Sequence, residues 1–340
     1  MTYTIRWSRI KSEMKKEDSV KYLGDYISSD GSNKTNIIER EKKGIIINNQ
    51  LKSLINEISL GGHYFKIGLL YRDTNIVNRL LFNSEVRYGL RQTKIDILES
   101  IDEMYMRQLF GAHSKTPIEA FYLESGKVLL RYVLKSRRLM YWWSLVRLSE
   151  DKMLSKFYYA QKNNPVKDDW INQVDKDKKE LNINLNDNDI KRMSKYMFKK
   201  FLKEKIKSAT LKYLNELKKK HIKVENLQST ELKCSKYLMD TRISKVDAKL
   251  LFKFRTRMYP VKANFSTKYQ NNMLCDLCIS AECMQQHLLQ CPILKSFIPE
   301  LKSTTLKYEF LFGNIEEMKQ IVKILKEISE VREQLLQDIN

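Results

Sequence analysis

Proline and glycine end helices and build the tight turns between strands. This chain is nearly without them, with 5 Pro and 10 Gly in 340 residues. An all-β protein needs a breaker every 8–12 residues or so, which argues against that architecture. Apolar residues make up 42% of the chain, enough to fill cores, so the chain is not a disordered one. The expectation is a mainly α protein of two or three structural units.

Residues 1–34 are the one good strand territory. The run SVKYLGDYISSDGSN has short apolar stretches and ends in an Asp30-Gly31 turn signal, which predicts a β-hairpin with Asp25 and Asp30 as turn residues. Helical spacing follows over Ile37–Ile58, stopped by Gly61-Gly62, and again over Tyr64–Val86. Lys94–Phe110 carries Ile97, Ile101, Met104 and Gln108 near one stripe, with Gly111 as the stop. Thr116 is placed to cap the next helix, with Pro117 at its first position and Glu119 completing a capping box. Val128–Leu148 reads as a helix whose Trp142 and Trp143 belong to a core. Asn163-Asn164-Pro165 breaks the pattern, and Asn182–Asp189 reads as a polar loop and domain boundary. Basic helices are expected over Lys191–Lys220 and 245–258. An amphipathic helix over 314–338 closes the chain, its apolar face (Ile321, Ile324, Leu325, Ile328, Val331, Leu335) packing on its own domain or on a partner.

LCDLCISAECMQQHLLQCP, Leu274 to Pro292, holds four of the five cysteines. Two thiolates two residues apart, Cys275 and Cys278, reach one ion, and His287 and Cys291 lie one helical turn apart. These four make a closed Cys3His set, which suits structural Zn2+ and leaves no position for a reacting water. Cys283 is the spare. A cysteine cluster of this kind fits a reducing, intracellular compartment, nucleus or cytoplasm, better than disulfides.

Lys and Arg number 62 against 41 Asp and Glu, a net of +21. Residues 191–257 alone hold 21 basic and 6 acidic residues, a net of +15, and so most of the excess. Segregated charge of this size points to a polyanionic partner, and to nucleic acid first. The candidate phosphate contacts are Lys191, Arg192, Lys195, Lys199, Lys200, Lys203, Lys207, Lys253, Arg255 and Arg257, with Arg137 and Arg138 in the tryptophan-bearing helix. Tyr196, Phe198, Phe201 and Tyr213 interleave with the lysines, at a helical spacing that favours core over base stacking. No window of about 18 apolar residues occurs, so no membrane span is expected, and the N-terminus lacks the apolar stretch of a secretory signal.

No catalytic residue is assigned. A polymerase needs carboxylates on strand turns to hold Mg2+, whereas the adjacent acidic pairs, Asp168-Asp169 and Glu316-Glu317, lie in helical context. Phosphate-binding loops and nucleophile elbows are absent, and His63, His113 and His221 are isolated in sequence.

Several segments together resemble the C-terminal part of the reverse transcriptase of LINE-type (non-LTR) retrotransposons. They are Lys21-Tyr22-Leu23-Gly24 with Ile27 and Asp30-Gly31; Leu80-Leu81 with Glu85 and Tyr88; Leu98 with Arg107; and Thr116-Pro117. Further along come Tyr122-Leu123-Glu124 with Gly126, Arg137-Arg138-Leu139, Asp169-Trp170, and Cys275, Cys278, His287-Leu288-Leu289 and Cys291-Pro292. Ser125 stands where the family has an apolar residue. The resemblance implies a palm-end β-hairpin over 1–34, a helical thumb-like domain over 35–180, a basic helical connector over 181–262 and a zinc-knuckle C-terminal domain over 263–340. It implies an RNA or RNA/DNA hybrid as partner. The palm and fingers, with the catalytic aspartates, would lie upstream of Met1, so polymerase activity is not carried onto this chain. The other reading of the same residues is a helical protein–protein interaction domain, or an inactive remnant, with a structural zinc.

Overall fold

The structure is a computed structural model. It describes residues 3–7, 10–14, 17–57, 61–87, 92–166, 169–227, 230–259, 261–262, 274–280, 287–302 and 308–339. Tyr88, Asp168 and Cys283, singled out above, lie outside the described residues.

The expected strand territory holds two antiparallel hairpins, β1 (Tyr3–Trp7) with β2 (Ile10–Met14), and β3 (Ser19–Tyr22) with β4 (Asp25–Ser28). The second turns at Leu23 (φ 45°) and Gly24 (φ 85°), two left-handed residues in succession, as a tight right-twisting hairpin requires. The turn signal at Asp30-Gly31 instead closes the exit from β4, where Asp30 accepts the Ser32 amide at 2.8 Å. Asp25 is not a turn residue. It opens β4 and holds Arg40 (2.9 Å), Arg87 and the Asn36 amide (2.6 Å), fastening the hairpin to the first helix. Burial would raise its carboxyl, but these hydrogen bonds outweigh that and hold it below the usual carboxylate range.

The rest of the described chain is helical. α1 (Lys34–Asn56) ends before Gly61-Gly62, as expected, and α2 (Gly61–Tyr71) begins with that pair. α2 runs through one wide turn (Arg72–Ile76) into α3 (Val77–Leu80). α4 (Gln92–Phe110), α5 (Ile118–Ser125), α6 (Leu130–Val146), α7 (Met153–Asn163) and α8 (Trp170–Glu180) follow. Then come α9 (Asp187–Arg192), α10 (Lys195–Lys218), α11 (Lys236–Met239), α12 (Lys245–Arg255), α13 (His287–Gln290), α14 (Pro292–Phe297) and α15 (Ile315–Ile339). Among the described residues no helix is long and apolar enough to cross a membrane.

Side-chain periodicity explains most of these elements. α4 buries Leu98, Ile101, Tyr105, Met106, Leu109 and Phe110, a stripe one position beyond the expected one, so Ile97 faces out. The polar run before α9 is a cap as much as a loop. Asn186 accepts the amides of Asn188 and Asp189, Asp189 returns a bond to the Asn186 amide, and Leu181 and Ile183 are buried beside them. The single basic helix expected over 191–220 is two helices, because Ser194 caps a fresh start through the Met197 amide. The expected capping box at α5 does not form. Pro117 is the flanking residue, the buried Thr116 hydroxyl has no partner, and Glu119 turns to His221.

α6 is the axis of the bundle and packs on α4, α7, α8, α9 and α10. One buried cluster takes side chains from Ile37 through Ile328, on both sides of the expected boundaries at 180/181 and 262/263. Its aromatic centre joins four helices, with Phe110 5.1 Å from Phe65, 5.6 Å from Phe121 and 4.5 Å from Phe252. Such pairs add about 0.5–1.5 kcal/mol each beyond area burial. On α15, Ile321, Ile324, Leu325 and Ile328 are buried in this same core, so that stretch is no free partner face.

Gly126 (φ 66°) ends α5 where the chain at Lys233-Cys234 crosses it; a Cβ there would strike the backbone of both residues. The close approach lets Ser235 donate its amide to the Glu124 carbonyl at 2.8 Å. Charge is also used inside the core. Arg72 meets Asp102 through two bonds (2.7 and 2.6 Å), and the Tyr122 hydroxyl donates to the same carboxylate at 2.8 Å.

Candidate metal centre and nucleic-acid interface

The C-terminal cluster converges as the spacing predicts. Residues 275–280 form a tight turn closed by Ile279 N to Cys275 O (2.9 Å) and Cys275 N to Ser280 O (2.8 Å). His287 opens α13 and Cys291 precedes α14, whose first residue Pro292 forces a new helix, so the second ligand pair straddles a corner rather than sharing one helix. The ligand atoms of Cys275, Cys278, His287 and Cys291 all lie within 4.8 Å of one another, and Cys278 Sγ is 3.3 Å from His287 Nε2. Metal bonds of about 2.3 Å to sulfur and 2.0 Å to nitrogen, at tetrahedral angles, place such atoms about 3.5 Å apart. The donor set therefore fits an ion, and these four residues could hold a metal.

Cys275 and Cys291 are buried, and Leu288, Leu294, Ile298 and Leu301 form an apolar floor beneath them. Burial pushes the Cys291 thiol up to about 11, and the neighbouring Cys275 adds to this. At Cys278 the effect of burial is outweighed by hydrogen bonds to Ser280, Cys291 and Cys275, and its thiol lies below the usual range. Among the described residues this is the one cluster of three or more Cys, His, Asp or Glu so arranged. Cys234 lies apart, its thiol pushed up to about 12 by burial and by Glu124.

The basic candidates separate into two groups. Arg138 and Arg255 are buried, bonded to Asp177 (2.6 Å) and Glu124 (2.9 Å). Arg257 is 8% exposed and paired with Glu225, and Arg137 donates to the Leu81 carbonyl at 2.8 Å and to Asn78. Arg138, Arg255 and Arg257 are buried and each bonds a carboxylate of the fold, which turns them inward, away from a strand on the surface, while Arg137 is half-buried and ties α6 to the Leu81 carbonyl. Lys253 is half-buried on α12.

The lysines of α9 and α10 behave differently. Phe198, Leu202, Ile206, Thr210 and Leu214 form the seam that α10 buries. Lys199, Lys200, Lys203 and Lys207 follow at three- and four-residue spacing on another side, preceded by Lys191, Arg192 and Lys195. Among the described residues none of these seven is ion-paired with a carboxylate, and all but the half-buried Lys207 are exposed. The aromatics divide as well. Phe198 is buried, Phe201 stacks on it at 6.3 Å, and Tyr213 lies under Arg131 at 4.8 Å. Tyr196 alone stands out, 76% exposed among the lysines, and its position off the 198–202–206 seam is legible in the sequence. What sequence reasoning missed are the carboxylates Asp102, Glu119 and Glu124, on helices whose patterns give no sign that an acid is buried.

Comparison of the chain with protein-family models, with curated proteins and with solved structures gave no match.

Proposed function

We propose that this chain is a nucleic-acid-binding fragment of a LINE-type reverse transcriptase, holding an RNA/DNA template–primer through basic helices and a structural zinc knuckle. The proposal gives it no polymerase active site of its own. The observation that carries it is the stripe on α10, where Lys195, Lys199, Lys200, Lys203 and Lys207 gather with no carboxylate partner among the described residues. Charge kept for solubility is mixed in sign and dispersed, whereas here five lysines gather along one helix with the exposed Glu204 as the one acid between Lys195 and Lys207, as a phosphate backbone would match. The ordered motifs that resemble the family supply the second support. They also imply an intracellular setting, in agreement with thiol ligands kept reduced.

The ion is assigned as Zn2+, since three thiolates and one imidazole in a closed set are its preferred structural donors. The ion would brace the turn 275–280 against α13 and α14. Fluorescence anisotropy of the zinc-loaded chain with a labelled RNA/DNA hybrid, titrated across salt, tests the whole reading. Affinity falling steeply as salt rises is the expected result. No binding at low salt, or affinity indifferent to salt, overturns it.

A further inference from the structure

A second feature lies next to the lysine track and is not explained by it. Between α7 and the start of α9 the surface sinks into an open cleft of about 660 Å3, lined by Lys156, Tyr159, Lys162, Asn163, Asn186 and Lys191 among others. Volumes of roughly 300–1,000 Å3 are those of small-ligand sites. Glu150 and Asp187 also line it. Asp187 is already committed, to Lys162 at 2.5 Å and to the Tyr158 hydroxyl at 3.0 Å. Lys156 and Lys191 are exposed and have no carboxylate partner among the described residues, so the cleft presents free cations beside the half-exposed Tyr159 ring. The Tyr158 ring meets Tyr159 at 5.1 Å and 70°, bracing it from one side.

The cleft is fixed relative to α10. The Met193 carbonyl, at the corner between α9 and α10, accepts bonds from Trp143 Nε1 (3.1 Å) and Arg147 Nη1 (3.3 Å), both on α6 or its end. Lys191 lines the cleft three residues before the Ser194 cap of α10. A strand whose phosphates follow α10 therefore meets Arg192 and Lys191 on the way to the cleft, where the exposed Glu150 is the acid that stands among the lysines. A paired base cannot enter, because its faces are stacked and its edge is bonded within the duplex. An unpaired one can lay its face on tyrosine and its phosphate between lysines.

We propose that this cleft receives an unpaired nucleotide of the strand that runs along α10, making the protein a reader of duplex–single-strand junctions. The inference rests on the nucleic-acid reading above. The test is anisotropy of the full chain with two labelled RNA/DNA hybrids of equal length, one blunt and one carrying a short single-stranded overhang. The overhang hybrid is expected to bind about tenfold tighter. Tyr159→Ala abolishes that preference and leaves blunt-end affinity within about twofold, whereas Tyr159→Phe retains it. Lys156→Gln, which lies off the α9–α10 track, flattens the salt slope for the overhang hybrid by about 0.7, the single-strand value for one contact, and not for the blunt one. Equal affinity for the two hybrids, or equal loss on both in Tyr159→Ala, overturns the cleft while leaving the lysine track standing. Failure to bind either hybrid overturns both.

Discussion

Replacing Lys199, Lys200, Lys203 and Lys207 with glutamine is the sharpest test of where this protein's charge acts. All four lie off the buried seam of α10, and among the described residues none is paired with a carboxylate, so the variant is expected to keep its fold. If each lysine meets one phosphate, each contributes about 0.9 to the slope of log K against log salt, and the quadruple variant loses about 3.6. Between 50 and 200 mM salt, the fall in affinity of the unaltered protein should then exceed that of the variant by about 150-fold. The assay is anisotropy with an RNA/DNA hybrid at several salt concentrations, with a thermal melt to show that the variant is folded. A control removes the same charge elsewhere, at the exposed Lys42, Lys43, Lys319 and Lys323. Equal flattening in test and control would refute the argument, since binding would then follow net charge rather than a track.

Other outcomes follow from the same structure. A strong chelator, or Cys275→Ser, should remove about one Zn2+ per chain by metal analysis and lower the melting temperature, because the ligands brace a turn against an apolar floor. Asp102→Ala takes the fully buried counter-charge from the Arg72 guanidinium and leaves it only the half-exposed Asp73 at 3.1 Å, costing about 3–5 kcal/mol. For a chain of this size that is a drop of about 4–7 °C in a melt, and Asp102→Leu with Arg72→Met should recover most of it. Lys249 lies 4.7 Å from the Tyr64 ring centre, and burial first, then Lys245 and Lys253, depress its ammonium to about 8 from an ordinary 10.5. The folded state thus sheds its proton first, and the stability this residue contributes above pH 10.5 is lost as pH falls to about 8. Lys249→Met should melt higher than the parent at pH 7, with the gap closing between pH 8 and 10.5. A gap constant across that window would count against the assignment.

The features legible in the sequence are those written in local spacing. The helical class, the β3–β4 hairpin and the Cys275/Cys278/His287/Cys291 set all depend on residues a few positions apart. What sequence reading misplaced depends on distant partners. Arg138 and Arg255 look like any basic residues on basic helices, and only Asp177 and Glu124, 39 and 131 residues away, make them structural. Glu119 has the right spacing for a capping box, yet His221 lies 102 residues off and takes the carboxylate. Asp30-Gly31 is the stronger turn dipeptide by composition, yet the chain reverses at Leu23-Gly24, where Asp25 at the start of β4 is anchored by Asn36, Arg40 and the distant-in-sequence Arg87.

The aromatic centre has a consequence for how the protein comes into being on the ribosome. Phe65, Phe110 and Phe121 are made early, and their neighbour Phe252, like the Arg255 that neutralises Glu124, comes some 131 residues later. At 5–20 residues per second the early half waits about 7–26 s with an uncovered greasy face and an unmatched acid. Such a nascent chain is a natural client for a chaperone. A product truncated near residue 180 should partition into inclusion bodies to a greater extent than the full chain expressed beside it.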